Sequence, residues 1–97
     1  MGKRGEILKI LEEKKEEIKK RFKVREISVF GSFIRGEEKK RSDVDILVEF
    51  EEIPDLFEFL ELEMYLERIL KVKVDMVRKQ ALRKELKQKI LKEAVKV

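Results

Sequence analysis

Two aspartates one residue apart open the most strand-like stretch of the chain, Asp43-Val44-Asp45-Ile46-Leu47-Val48-Glu49-Phe50. Alternate residues of a strand share a face, so Asp43 and Asp45 should point the same way with their backbones roughly 7 Å apart. Carboxylates this close repel each other unless a cation neutralises them. Two bound ions would stabilise the attacking and leaving oxygens of an in-line phosphoryl displacement. The plainer alternative is a pair of solvated aspartates at the start of a strand or in a turn.

A third aspartate, Asp75, lies within a short segment that also has the composition of a strand, Val72-Lys73-Val74-Asp75-Met76-Val77. A carboxylate in the middle of a segment suited to burial is costly unless it is paired or bound to metal. If this strand lies beside the one that begins at Asp43, three carboxylates line one end of the sheet. The alternative is an exposed aspartate at a sheet edge, paired with a lysine.

A Gly-Ser pair, Gly31-Ser32, ends an earlier apolar segment and is followed by Arg35. Glycine allows a positive φ and a close approach of the backbone to a ligand. A short helix after Ser32 would present free N–H groups to a phosphate, and Arg35 could bind the same phosphate through two N–H groups. The segment is not a P-loop, because the required Gly-Lys-Ser/Thr does not follow. Gly-Ser alone is also a common turn.

The hydrophobic pattern predicts the elements that would position these residues, in the order α-β-(short α)-β-α-β-α. A helix is expected over about residues 5–22, a strand over 24–30, a short helical turn over 32–35 and a loop over 36–42. The strand at 43–50 follows, and then a helix that starts at the N-cap Asp55, with Glu58 as its capping-box partner, and runs to about Leu70. A strand at 72–77 precedes a last helix, marked by Ala81, Leu82, Leu86, Ile90 and Ala94.

The predicted fold class is α/β (α+β), with one domain over residues 1–97 and a three-stranded mixed sheet flanked by about four helices. The second and third strands, joined by a long helix, should be parallel. The first two, joined by a turn and loop, should be antiparallel. The helix from Leu56 to Leu70 is apolar around much of its circumference. It should therefore be the central packing helix, with an extra face as a candidate surface for assembly with a second copy or a partner.

The composition excludes several chemistries. The 97 residues contain no Cys, His, Asn, Thr or Trp, so there is no thiol nucleophile, disulfide or imidazole base. Any metal site must be built from oxygen ligands, which favours Mg²⁺, Mn²⁺ or Ca²⁺. Lys plus Arg number 25 and Asp plus Glu 21, giving a net charge of +4. These charges are interspersed as on a solvated helix face, so direct nucleic-acid binding is not expected. The Lys/Glu richness also suits a thermophile.

Neither a signal peptide nor a membrane anchor is expected from the pattern. The N-terminal stretch lacks an uninterrupted apolar run, and no apolar run approaches the length needed to span a membrane. We therefore expect a cytoplasmic protein with no membrane partner.

The combination of these motifs is more specific than any one of them. Gly-Ser, a spacer, Asp-x-Asp and a third Asp on a later strand resemble the signature of the DNA polymerase β-type nucleotidyltransferase superfamily. More closely, Gly-Ser-Phe-Ile-Arg-Gly followed by Ser-Asp-Val-Asp-Ile-Leu-Val-Glu-Phe resembles the minimal nucleotidyltransferases, the MntA-type antitoxins paired with HEPN-domain toxins. The resemblance covers nearly the whole chain. Ile34 stands where a smaller residue is common in that family.

The resemblance implies roles for named residues. Asp43 and Asp45 would bind two Mg²⁺ ions, with Mn²⁺ as the other candidate, and Asp75 would ligate the catalytic ion and help take the acceptor proton. Gly31 and Ser32 would hold the β- and γ-phosphates of ATP, the nucleotide substrate. The side chains expected to support the triphosphate or the Asp loop are those of Arg35 and Ser42.

Three functions remain open on the sequence alone. The first, which the resemblance favours, is transfer of AMP from ATP to a hydroxyl, a tyrosine in that family, of a HEPN ribonuclease toxin that is thereby silenced. The second is an antitoxin that neutralises its partner by binding alone. The third is nucleotidyl transfer to RNA or to a small molecule, although relatives with those roles usually carry additional domains.

Overall fold

The computed structural model describes residues 3–31 and 44–97. Helix α1 spans Lys3–Phe22 and leads into strand β1, Val24–Phe30. Strand β2 spans Val44–Phe50, helix α2 Leu56–Leu70 and strand β3 Val74–Arg78. A 3₁₀ turn at Lys79–Ala81 precedes helix α3, Lys84–Glu93, and strand β4, Val95–Lys96. The short helical turn predicted over 32–35 lies outside the described residues.

The strands form one mixed sheet in the order β3-β2-β1-β4. β1 and β2 are antiparallel and β2 and β3 are parallel, so both predicted orientations are confirmed. The predicted count of three strands is wrong, because β4 adds a fourth on the outer edge of β1, with Ser28 opposite Lys96 and Val29 opposite Val95. Two residues are too few to show strand alternation, and their pairing depends on a partner almost seventy residues away.

The core lies between one face of the sheet and the two long helices. Its members are apolar and buried, and they include Ile7, Leu11 and Ile18 of α1, Ile27 and Val29 of β1, Val44, Ile46, Val48 and Phe50 of β2, and Leu62, Leu66 and Leu70 of α2. Every second residue of β2 therefore faces the helices. Asp45, Leu47 and Glu49 face the other way, as the alternation predicts.

Helix α2 begins and ends at well-defined caps. The backbone N–H of Glu58 donates to the carboxylate of Asp55 at 2.8 Å, and that of Asp55 donates to the carboxylate of Glu58 at 3.0 Å. The predicted capping box is therefore confirmed. At the other end Lys71 adopts the left-handed conformation, with φ of 57°, and donates to the Glu67 carbonyl at 2.8 Å.

This C-cap explains why β3 begins two residues later than predicted. The chain is still turning at residues 71–73, and the Val74 N–H donates to the Glu67 carboxylate at 3.1 Å. The last helix also starts later than its apolar pattern indicates, because Ala81 belongs to the 3₁₀ turn. Among the described residues, no helix has the length and apolar character needed to cross a membrane.

Candidate functional site

The starts of β2 and β3 bring two of the three predicted aspartates together. Asp45 lies directly opposite Asp75 in the parallel pair, and adjacent strands are about 4.8 Å apart. The Val44 N–H donates to the Lys73 carbonyl at 2.9 Å, which holds the two strand starts in this register. Opposite residues of a parallel pair share a face, so both carboxylates lie on the side of the sheet away from the helical core.

Asp75 differs from the buried residue that the sequence predicts. It lies on the edge strand and its side chain is exposed, because β3 has no neighbour on its outer side. The lysine partner of the alternative interpretation is also missing within ranges 3–31 and 44–97, where no ion pair to Asp75 forms. An exposed carboxylate beside a second carboxylate is accessible to a cation and to a large substrate.

Gly31 follows β1, which lies on the opposite side of β2 from β3, at the same end of the sheet. The residue before it, Phe30, lies opposite Asp45 in the antiparallel pair. Gly31 itself has φ of +84°, a backbone conformation that residues other than glycine rarely adopt. A β-carbon at this position would overlap the Oδ2 atom of Asp45. Glycine is therefore required here for two reasons: the backbone turn needs a positive φ, and the Asp45 carboxylate occupies the space of a β-carbon.

The remaining predicted site residues, Ser32, Arg35, Ser42 and Asp43, lie outside the described residues. In the part of the chain that the structure describes, no group of three potential ligands is close enough to hold a metal ion. Asp45 and Asp75 are thus two members of the predicted triad, and the third, Asp43, is the residue just before β2.

A second acidic residue on this face of β2, Glu49, forms ion pairs. Its carboxylate lies 3.3 Å from the Lys79 ammonium and 3.7 Å from the Arg25 guanidinium. Neither partner is predicted from the sequence. Lys79 follows β3 by one residue, and Arg25 sits at an irregularity in the β1–β2 register, so both contacts depend on strand pairing that no local pattern reveals. The Glu49 charge is therefore compensated within the sheet.

The chemistry available to this sheet end follows from its donor atoms. Asp45 and Asp75 are paired across neighbouring strands and both offer carboxylate oxygens. Such oxygens are the ligand type that Mg²⁺ and Mn²⁺ prefer. The glycine beside them leaves the space that the Asp45 carboxylate occupies. The described part of the site therefore fits a divalent cation bound to carboxylate oxygens, with the Gly31 backbone beside Asp45.

Comparison with known proteins agrees with this arrangement. The family described as polymerase beta, nucleotidyltransferase, matches residues 12–97. Protein adenylyltransferase MntA of Thermococcus cleftensis is 54% identical over 90 residues, which cover 93% of this chain and 91% of that protein.

Two solved structures share the fold. A protein assigned as a minimal nucleotidyltransferase has a TM-score of 0.74 and 35% identity, over 95% of this chain and 89% of that one. A toxin–antitoxin crystallised with AMP-PNP has a TM-score of 0.69 and 25% identity, over 99% of this chain and 72% of that one. The α+β fold is thus that of the polymerase β-like nucleotidyltransferases. The chain therefore belongs to the minimal nucleotidyltransferase family, MntA type, of the polymerase β superfamily, and it is a nucleotidyltransferase.

Proposed function

We propose that this chain transfers AMP from ATP to a hydroxyl group of a partner protein, in the presence of a divalent metal ion. The observation that carries the proposal is the pairing of Asp45 with Asp75 at the sheet end that Gly31 closes. Support also comes from the relative at 54% identity, which is named a protein adenylyltransferase, and from the related toxin–antitoxin crystallised with an ATP analogue.

The metal ligands in this proposal are carboxylates. Asp45 and Asp75 would hold Mg²⁺ or Mn²⁺ together with Asp43, which the resemblance assigns to the same site. A divalent ion bound there supplies electrostatic stabilisation of the charge that develops on the phosphate and on the attacking and leaving oxygens. Two carboxylates on paired residues are unfavourable alone, so cation binding also relieves their repulsion.

The triphosphate would lie beside Gly31. A residue without a side chain lets the backbone approach a ligand closely, and the left-handed turn at Gly31 redirects the chain after β1. By the resemblance, Ser32 binds the β- and γ-phosphates, and Arg35 and Ser42 support the triphosphate or the aspartate loop. These residues position the α-phosphorus for attack and the pyrophosphate for departure.

Asp75 is the residue of this site that an acceptor reaches most easily. Its side chain is exposed and its strand is at the sheet edge, so a hydroxyl carried by a large protein can approach it. The chain contains no histidine, and in this proposal the Asp75 carboxylate accepts the hydroxyl proton as the oxygen attacks. The new bond joins that oxygen to the α-phosphorus, and pyrophosphate leaves with the electrons of the broken P–O bond.

The acceptor in this proposal is a tyrosine hydroxyl of a HEPN-type ribonuclease toxin, and the modification silences the toxin. The described residues support a protein acceptor through the open position of Asp75 rather than through any binding pocket for a small molecule. The chain would then act as an antitoxin that depends on catalysis.

The experiment that tests this function uses ATP labelled at the α-phosphate, Mg²⁺, the purified chain and lysate of the source organism. Label in one protease-sensitive band is expected with the wild type and with Asp55→Asn. No label is expected with Asp75→Asn, the same chemical change made inside the site. Asn is also a good N-cap, so Asp55→Asn is a matched control.

Other outcomes would contradict the proposal. Label in nuclease-sensitive material would indicate transfer to RNA. The absence of label from every fraction, with unchanged binding of a toxin by Asp75→Asn, would indicate an antitoxin that acts by binding alone.

A further inference from the structure

The large apolar side chains that the structure leaves exposed in ranges 3–31 and 44–97 fall in two places. The first lies along α2 and the residues before it and consists of Ile53, Leu56, Phe57, Leu60 and Met64. It is called the acidic stripe here because the charged residues between these apolar side chains are acids. The second lies on α3 and β4 and consists of Leu86, Leu91 and Val95. It is called the basic face here because most of the charged residues around these side chains are bases.

The acidic stripe follows the helical repeat. Leu56, Leu60 and Met64 are four residues apart and Phe57 lies beside Leu56, so these side chains form one row on the outer side of α2, with Ile53 just before the helix. Both Ile53 and Phe57 are 80% exposed, and neither contributes to the core cluster. A contiguous apolar row of this kind on a small protein marks an interaction surface rather than ordinary scatter.

The charges around the stripe determine what can cover it. From residue 51 to residue 67 there is no Lys or Arg, although the whole chain has a net charge of +4. Seven acids lie in that range: Glu51, Glu52, Asp55, Glu58, Glu61, Glu63 and Glu67. Cations from other parts of the chain lie at the two ends of the stripe. Lys23 is 3.6 Å from Glu52 and Arg78 lines a depression with Ile53 at the near end. Arg21 and Arg68 line a depression with Met64 at the far end.

Pairing of two acidic stripes with each other is therefore unfavourable. Glu58 and Glu61 are exposed between the apolar side chains of the row, and a twofold arrangement of α2 on α2 would bring like charges together. The occupant must combine apolar groups with a basic rim.

The basic face has that chemistry. Helix α3 has no buried residue, and Leu86 is 50% exposed. Between residues 83 and 93 the chain has five bases, Arg83, Lys84, Lys87, Lys89 and Lys92, and two acids, Glu85 and Glu93. The two exposed apolar surfaces of the described chain thus carry opposite charge.

We propose that the chain self-associates, with the acidic stripe of one copy packed against the basic face of a second copy. The exposed apolar side chains form the centre of the contact, and the α2 acids and α3 lysines form its rim. The contact joins different surfaces, so it closes as a twofold pair with two such contacts or continues from copy to copy. A twofold pair also brings the area closer to the roughly 800 Å² per partner that specific complexes bury.

The acidic-stripe side of the contact lies away from the candidate site. The stripe begins just after β2, at the end where the Phe50 and Phe59 rings are 6.4 Å apart. Asp45 lies five residues before Phe50, about 17 Å away along an extended strand. Substitutions in the stripe should therefore leave the catalytic residues in place.

Sedimentation equilibrium of the purified chain, from micromolar to several hundred micromolar, tests the proposal. Concentration-dependent association is expected for the wild type. Phe57→Glu and Leu86→Glu should each weaken association by about thirtyfold or more, as loss of an interface centre does. Lys14→Glu on α1, which also adds negative charge at an exposed position, should leave association unchanged. Circular dichroism of each variant shows whether it is folded, and Phe57→Ala offers a milder second substitution.

A mixture of the two interface variants gives the sharpest result. Phe57→Glu retains an intact basic face and Leu86→Glu an intact acidic stripe, so the mixture should associate one-to-one more strongly than either variant associates alone. A monomeric wild type over the whole range would overturn the proposal and leave the stripe to a different protein. Wild-type association by Leu86→Glu would also overturn it, because the basic face would then take no part.

Discussion

The carboxylate of Asp45 lies against the α-carbon of Gly31, in the space that the β-carbon of any other residue would fill. Gly31 also has φ of +84°. Its lack of a side chain therefore meets two requirements at once, one of backbone conformation and one of space for a candidate metal ligand. A substitution at this position should disturb both.

We expect Gly31→Ala to lower nucleotidyl transfer by about 100-fold or more, because displacement of a positioned catalytic group by about 1 Å has an effect of this size. The free energy of unfolding should also fall by roughly 1–2 kcal/mol from the left-handed backbone. Transfer assays and urea denaturation measure the two effects. Gly5→Ala is the matched control, since a β-carbon there meets nothing within 4 Å. Full activity of Gly31→Ala would show that the position of Asp45 is not critical.

The packing of α2 on the sheet should depend on Leu66, which is completely buried. Leu66→Ala should lower the free energy of unfolding by about 2–5 kcal/mol through lost burial and a residual cavity. Met64→Ala removes a side chain of similar size from the same helix but from an exposed position, and should cost about 0.5 kcal/mol or less. Urea denaturation of both variants makes the comparison, and equal losses would contradict the assignment of the buried face.

The N-terminus of α2 should depend on its capping box. Asp55→Ala removes the acceptor for the Glu58 N–H and should destabilise the protein by about 1 kcal/mol. Asp55→Asn should have a much smaller effect, since Asn also accepts this hydrogen bond. Thermal unfolding distinguishes the two variants, and an unchanged melting temperature for Asp55→Ala would argue against the cap.

Tyr65 provides a direct optical test of the α1–α2 contact. Burial, and then the hydrogen bond that its hydroxyl donates to the Glu17 carboxylate at 2.5 Å, raise the pKa of Tyr65 above 10.0. The chain has one tyrosine and no tryptophan, so phenolate absorbance reports this residue alone. Its midpoint in the native protein should lie above the midpoint in urea, and Glu17→Gln should lower it.

The same pKa shift has a consequence for stability. The pKa of Tyr65 is higher in the folded than in the unfolded protein, so the folded state binds the phenolic proton more tightly. The contribution of this pKa shift to the free energy of unfolding is complete below pH 10 and is lost as the pH rises through the pKa of Tyr65 in the folded protein. Unfolding measured across this alkaline range should show a decline that Tyr65→Phe does not. A native midpoint at or below the urea value would contradict both the burial and the hydrogen bond.

Local patterns predicted much of the fold. Strand β1 is found at its predicted bounds, and the capping box was readable because Asp55 and Glu58 interact over one helical turn. The parallel pairing of β2 and β3 followed from the length of the helix between them, and this pairing places Asp75 beside Asp45.

Features that depend on distant parts of the chain were not predicted. The two residues of β4 form a strand only because β1 offers a free edge, and the exposure of Asp75 reflects the place of β3 at the other edge. The contact of Asp45 with Gly31 requires the register of two antiparallel strands. Sequence spacing suggested a glycine near a phosphate, which stays a prediction; the contact of this glycine with a carboxylate is a further feature that the spacing did not indicate.

In the proposed function, carboxylates at the paired starts of β2 and β3 carry out metal-dependent transfer of AMP. The most direct measurement is the rate of label transfer from ATP to the acceptor protein by Asp43→Asn, Asp45→Asn and Asp75→Asn, with Asp55→Asn beside them and Mg²⁺ varied. We predict a loss of about 1,000-fold or more for each of the three site variants, with unchanged circular dichroism, and wild-type rates for Asp55→Asn. Undiminished transfer by Asp45→Asn or Asp75→Asn, or transfer that persists in a chelator, would show that these carboxylates do not bind a catalytic metal ion.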